Sequence, residues 1–169
     1  YALTRAQQEN IPFLTFDGSN YQPVYDALVE SQIDFIVLAG YLKIVPKKLI
    51  DQYENRIINI HPSLLPSFSG KGFYGIKVHQ AVLEKGVKVT GATTHFVSEI
   101  ADEGPIIMQE TVKIGPNETA ESLQQKVLTI EYEILLKSLT YLCKNELQIH
   151  EQKVIIGGKN DENSTRIGL

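Results

Sequence analysis

The sequence predicts an α/β fold, an open and mostly parallel twisted sheet with flanking helices and mixed at one edge, and three stretches carry that prediction. Residues 33–39 hold Ile33, Phe35, Ile36, Val37 and Leu38 almost without polar interruption. That is the pattern of a strand buried on both faces, as in parallel sheets. A helix opened by Pro46 separates it from a second apolar run, 56–61, so the unit reads strand, helix, strand. Residues 88–97 and 105–114 are two more strand patterns joined by a short loop, which favours antiparallel pairing.

Taken in order, residues 5–10 are polar and helix-compatible, Ile11-Pro12 breaks them, and 12–16 is a short apolar run closed by Gly18. A helix end, a short strand and a turn are expected. Ser19 or Asn20 caps the next helix, with Pro23 in its first turn and Val24, Ala27 and Leu28 at helical spacing. Gly40 ends the 33–39 strand where a missing side chain lets a ligand or backbone come close, and 41–45 form the loop after it.

On the 56–61 strand, Asn59 and His61 share one face and Ile58 and Ile60 the other. Pro62 ends that strand, leaving His61 at the carboxyl edge, where open α/β sheets bind ligands. From these residues alone, Asn59 and His61 either pair with loop backbone or form part of a site. Gly70, Gly72 and Gly75 have the spacing of a dinucleotide fingerprint. No strand runs straight into Gly70, and 90–95 stand where a ribose-binding acid is required, so the stretch reads as a mobile glycine-rich surface loop. A helix over 76–85 follows.

The acidic loop 98–105 is either solvated or functional. From Asn117 or Thr119 a long helix runs to about Lys144, with Leu123, Val127, Ile130, Ile134 and Leu135 as its buried stripe. Glu131, four residues from both Val127 and Leu135, either snorkels at the stripe's margin or holds a polar group of a ligand. Cys143 reads as a small core residue. The expected organisation is one domain over 1–156 and a frayed polar tail over 157–169.

At 169 residues the chain suits one domain, and 43% hydrophobic with 21% charged residues is the balance of a globular protein. A net charge of −4 gives nucleic acid no positive surface to bind. One cysteine excludes an internal disulfide and a multi-thiolate zinc site, which makes a reducing cytoplasm the default setting. No run has the length of a membrane-spanning helix, and no signal pattern opens the chain. The first residue is not methionine, so a fragment is expected.

Residues 59–66 read Asn-Ile-His-Pro-Ser-Leu-Leu-Pro and 102–105 read Asp-Glu-Gly-Pro. With both in view the chain resembles, from about residue 5 to about 150, the glycinamide ribonucleotide formyltransferase family, folate-dependent enzymes of purine synthesis with a Rossmann-like fold. Residues 38–44 resemble that family's folate loop and 91–97 its strand before the catalytic aspartate. The resemblance implies Asn59, His61 and Asp102 as catalytic residues. It implies 10-formyltetrahydrofolate as co-substrate between the loop of Tyr41, Leu42, Lys43, Ile44 and Val45 and that of Ile100, Ala101 and Asp102. Gly40, Pro62, His95 and Glu131 fall on the ribonucleotide side. Small molecules are thus the expected partners of a monomer or homodimer, without membrane or nucleic acid. The family opens with a strand and a glycine-rich phosphate turn, and no glycine precedes Gly18, so the domain is expected to be incomplete at its start.

Formyl transfer to an amine needs an oxyanion stabilised, a proton removed from the nucleophile and one given to the leaving nitrogen. Asn59 is a neutral donor suited to the first task, and His61 and Asp102 suit the proton transfers. No metal is expected, because these donors make a Lewis acid unnecessary. Formyltetrahydrofolate hydrolase is the nearest alternative, although its pattern has a second histidine where this chain has Pro62. Methionyl-tRNA formyltransferase would need further carboxy-terminal sequence, and a non-catalytic folate-binding remnant is a reading of another class.

Overall fold

The structure, a computed structural model, describes residues 2–16 and 18–157 and the backbone of 165–166. It falls into two compact units, 1–33 and 34–169, where the sequence suggests one domain. The first unit holds helices α1 (Ala2–Gln8) and α2 (Gln22–Glu30), neither with a buried residue. Tyr21, not Ser19 or Asn20, stands at the N-cap of α2; Asn20, one residue earlier, accepts from the Gln22 N–H at 2.9 Å through Oδ1, and Pro23 lies in the first turn. The strand expected over 12–16 does not form. A strand needs a neighbour to take its backbone groups and no pairing reaches these residues; Phe13 and Leu14 are 54% and 50% exposed.

The second unit is built on an open seven-stranded sheet. Its strands are β1 (Ile36–Leu38), β2 (Ile57–His61), β3 (Val89–Phe96), β4 (Ile106–Lys113), β5 (Leu147–His150), β6 (Lys153–Ile156) and β7 (Thr165–Arg166), in spatial order β1-β2-β3-β4-β6-β5-β7. Pairs β1–β2 and β4–β6 are parallel. The others are antiparallel, so antiparallel pairing reaches inward from the edge to β2–β3. Helices α3 (Lys47–Gln52), α4 (Ile76–Lys85) and α5 (Ala120–Cys143) flank it. Extended Pro46 opens α3, and left-handed Gly86 closes α4. A reciprocal pair of bonds between Thr119 and Ser122 starts α5: the Thr119 Oγ1 accepts from the Ser122 N–H and the Ser122 Oγ from the Thr119 N–H.

Ile58 and Ile60 enter two adjoining apolar clusters, one with Phe96, Ile107 and Leu142, the other with Val78, Val82, Leu123, Val127 and Ile134. Both clusters take residues from α5, so one long helix covers the sheet behind Asn59 and His61 and fixes the register of β2. The 33–39 run is not buried on both faces: β1 is three residues long and lies at the sheet edge, and Val37 is 40% exposed. An edge strand has a neighbour on one side only, which periodicity cannot reveal. Cys143 is exposed and is not a core residue. Ser138 and Leu142 continue the buried row of Ile134 at four-residue spacing, which rotates Cys143 outward. Of the tail expected over 157–169, residues 165–166 pair with β5, and 158–164 and 167–169 lie outside the described residues.

Candidate active site

Asn59 and His61 are brought to the cleft by β2, whose last residue is His61. The chain then turns through a loop held from β3 and β4. Thr93 Oγ1 donates to the Ser63 carbonyl (2.7 Å) and accepts from the Leu65 N–H (3.0 Å) and from Gln109 Nε2 (3.0 Å). Gln109 Nε2 also donates to the Leu65 carbonyl at 3.0 Å. The loop so fixed aims the Phe68 carbonyl at His61 Nε2, 2.9 Å away. A carbonyl only accepts, so Nε2 carries a hydrogen and Nδ1 is the nitrogen left for other partners.

His61 Nδ1 faces Asp102 Oδ1 at 3.6 Å, and His95 Nε2 from β3 lies 3.8 Å from the same oxygen. Asp102 is on the β3–β4 loop in the left-handed region (φ 61°), which aspartate tolerates better than most residues. Its Oδ2 accepts from the Gly70 N–H at 2.9 Å. His95 Nδ1 donates to the Phe96 carbonyl at 2.8 Å, and its Nε2 lies 3.1 Å from Asn59 Nδ2. Burial holds the His95 imidazole below its ordinary range, against the opposing pull of the Phe96 carbonyl and Asp102. A neutral His95 therefore accepts the Asn59 hydrogen bond. At 3.6 Å the His61–Asp102 pair is too long for a direct hydrogen bond.

These residues line a cleft of about 650 Å³, a size suited to a small-molecule ligand. The structure brings to it each residue singled out in the sequence: Gly40 and the loop from Tyr41 to Val45; Asn59, His61 and Pro62; His95; Ile100, Ala101 and Asp102; and Glu131. Burial pushes the Glu131 carboxyl above its ordinary range. The glycine-rich loop is more than surface. Gly70 to Gly75 line the cleft, and the Gly70 backbone binds Asp102. Sequence reasoning missed that role because a backbone N–H has no side-chain signature. It also passed over His79 on α4, which lines the cleft while 1% exposed, with Nδ1 bonded to none of the described residues. Its place among Val78 and Val82 on a buried helix face was the available signal.

The formyl transferase family pattern matches residues 1–139. The chain belongs to the formyl transferase family. Among formyl transferases it is 41% identical over 157 residues to the chloroplastic phosphoribosylglycinamide formyltransferase of Arabidopsis thaliana, covering 88% of this chain and 54% of that protein. The chain thus spans about half the length of that plant relative. The crystal structure of phosphoribosylglycinamide formyltransferase from Anaplasma phagocytophilum superposes with a TM-score of 0.85 at 32% identity, over 94% of this chain and 76% of that one. A formyltetrahydrofolate deformylase from Pseudomonas syringae superposes with a TM-score of 0.81 at 29% identity, over 91% of this chain and 52% of that one. The open, mixed sheet with flanking helices is the architecture of these formyl transferases.

Proposed function

We propose that the chain transfers the formyl group of 10-formyltetrahydrofolate to the amine of glycinamide ribonucleotide by direct attack of the amine on the formyl carbon. The supporting observation is the convergence of an amide, an imidazole and a carboxylate from three separated segments, with His61 Nδ1 and Asp102 Oδ1 3.6 Å apart. Asn59 and His61 donate to the oxygen that becomes anionic as the new C–N bond forms. Asp102 takes the proton from the attacking nitrogen and, with His61, relays one to the folate nitrogen as its bond to carbon breaks. The folate ring lies between the loops at Tyr41 to Val45 and Ile100 to Asp102, and Glu131 binds the ribonucleotide. No metal takes part.

The deformylase likeness favours one competing reading, hydrolysis of the same formyl donor. Pro62 stands against it. The discriminating experiment incubates the protein with 10-formyltetrahydrofolate, with and without glycinamide ribonucleotide. Formylated ribonucleotide formed only with acceptor is the expected result. Formate released without acceptor would reassign the chain to the hydrolases, and folate binding with neither product would make it a binding remnant.

A further inference from the structure

One backbone carbonyl is held against the imidazole that bonds the cleft's amide. The β3–β4 register shifts between Thr94 and His95, and beyond the shift the Phe96 carbonyl lies 2.8 Å from Nδ1 of the His95 ring. That oxygen can only accept, so Nδ1 holds the hydrogen and Nε2 of the neutral ring is a bare lone pair. Facing the lone pair at 3.1 Å is Asn59 Nδ2, which can only donate. His95 is 2% exposed, and burial disfavours a second proton on its ring. The carbonyl reaches the imidazole only because residue 104 is glycine: a Cβ there would stand 1.8 Å from the Phe96 oxygen and 2.8 Å from its carbon. Backbone atoms at that distance cannot be avoided by a change of rotamer.

We propose that Gly104, the Phe96 carbonyl and His95 form a tautomer lock that orients the Asn59 amide, making Gly104 and His95 positioning residues. The kinetic consequence rests on the formyl-transfer reading; the lock itself does not. With one Nδ2 hydrogen committed to His95, the second is available to the cleft. A ring carrying its hydrogen on Nε2 would instead draw Asn59 Oδ1 toward itself. The amide would turn over and exchange the positions of its donor and acceptor, so that stabilisation of a developing oxyanion is lost. The lock also reserves Asp102. A bare Nε2 has no hydrogen for the carboxylate 3.8 Å away, so His95 does not compete with the Gly70 N–H, which donates to Oδ2.

The direct test is ¹⁵N NMR of the imidazoles in the unliganded protein near neutral pH, with the His95 signals assigned by their loss in His95→Gln. A pyrrole-like Nδ1 and a pyridine-like Nε2 are expected; a hydrogen on Nε2, or two averaged nitrogens, overturns the proposal whatever the protein catalyses. A kinetic arm uses two variants, each checked for folding by circular dichroism. His95→Gln carries an acceptor to the Nε2 position and should lose no more than about tenfold in kcat, the worth of one altered hydrogen bond. His95→Asn keeps a group only at the Nδ1 position and should lose about a hundredfold, with KM for the formyl folate unchanged. Equal losses in the two refute the lock. Gly104→Ala should give mixed tautomers, and if it fails to fold, the wild-type spectrum and the His95 pair still decide.

Discussion

The two walls of the cleft are satisfied in opposite ways. On the sheet side the chain supplies the partners: the Phe68 carbonyl for His61, the Phe96 carbonyl for His95 and the Gly70 N–H for Asp102. On the helix side, His79 Nδ1 is buried with no hydrogen-bond partner among the described residues, and Glu131 makes none there. Burial pushes the His79 imidazole down and the Glu131 carboxyl up. Polar groups out of water are normally bonded. A wall already bonded is set in advance for chemistry, whereas an unbonded one is completed by what enters, so on the proposed reading the sheet side should govern turnover and the helix side affinity.

The largest effects should therefore come from the sheet side. Asp102→Asn keeps the shape but removes the proton acceptor, and turnover should fall about 10²- to 10⁴-fold with little change in KM for the formyl folate. Steady-state kinetics with both substrates measure this, and near-normal turnover would remove Asp102 from the chemistry. Asn59→Ala should cost about 10²- to 10³-fold in kcat. If the two act on one reacting centre, as proposed, the double variant should be little worse than the poorer single one. Multiplying losses would show that they work independently and would weaken the picture of a pre-bonded wall.

What the sequence disclosed follows the same division. The helix expected over 76–85 is α4 at Ile76–Lys85, and the cap at Thr119 and the apolar stripe after it located α5 at Ala120–Cys143, because local rules govern a helix with a clear apolar stripe. Pro62 marked the end of β2 correctly for the same reason. Failures arose where a neighbour decides: 12–16 lacks a ladder partner, Val37 lies on an edge, and the β5–β6 hairpin depends on β4 to receive it. In the site, residue types and order were legible, and all the side chains named fall on one cleft. The Gly70 N–H and the Phe96 carbonyl were not, since a backbone group becomes a ligand only through the turn that aims it.

On the helix side, Glu131→Gln sharpens the comparison. If Glu131 binds the ribonucleotide, KM for that substrate should rise about tenfold, with kcat and the folate KM unchanged, the signature of binding common to ground and transition states. The same change should raise Tm at neutral pH. The folded pKa lies above the unfolded one, so the carboxylate's burial penalty is absent at low pH and present in full once pH exceeds both values. Below the unfolded pKa the variant and parent should melt alike. A fall in kcat at constant KM would place Glu131 with the catalytic wall and dissolve the distinction between the two sides.

The smallest effect belongs to His79 and is read in stability. Its folded pKa is depressed by burial, so below an unfolded value of about 6.5 the unfolded chain takes up a proton that the folded one refuses. Stability is whole above that value and declines as pH drops through it toward the folded pKa. In His79→Gln the acid decline between about pH 7 and 5 should flatten but not vanish, since His95 is depressed by burial with the same sign. Urea midpoints across that range in the parent and the variant measure the difference. Parallel curves would mean that the ring is already accommodated in the folded protein. The helix wall would then be as fully partnered as the sheet wall, and Glu131 alone would be left to account for ribonucleotide affinity.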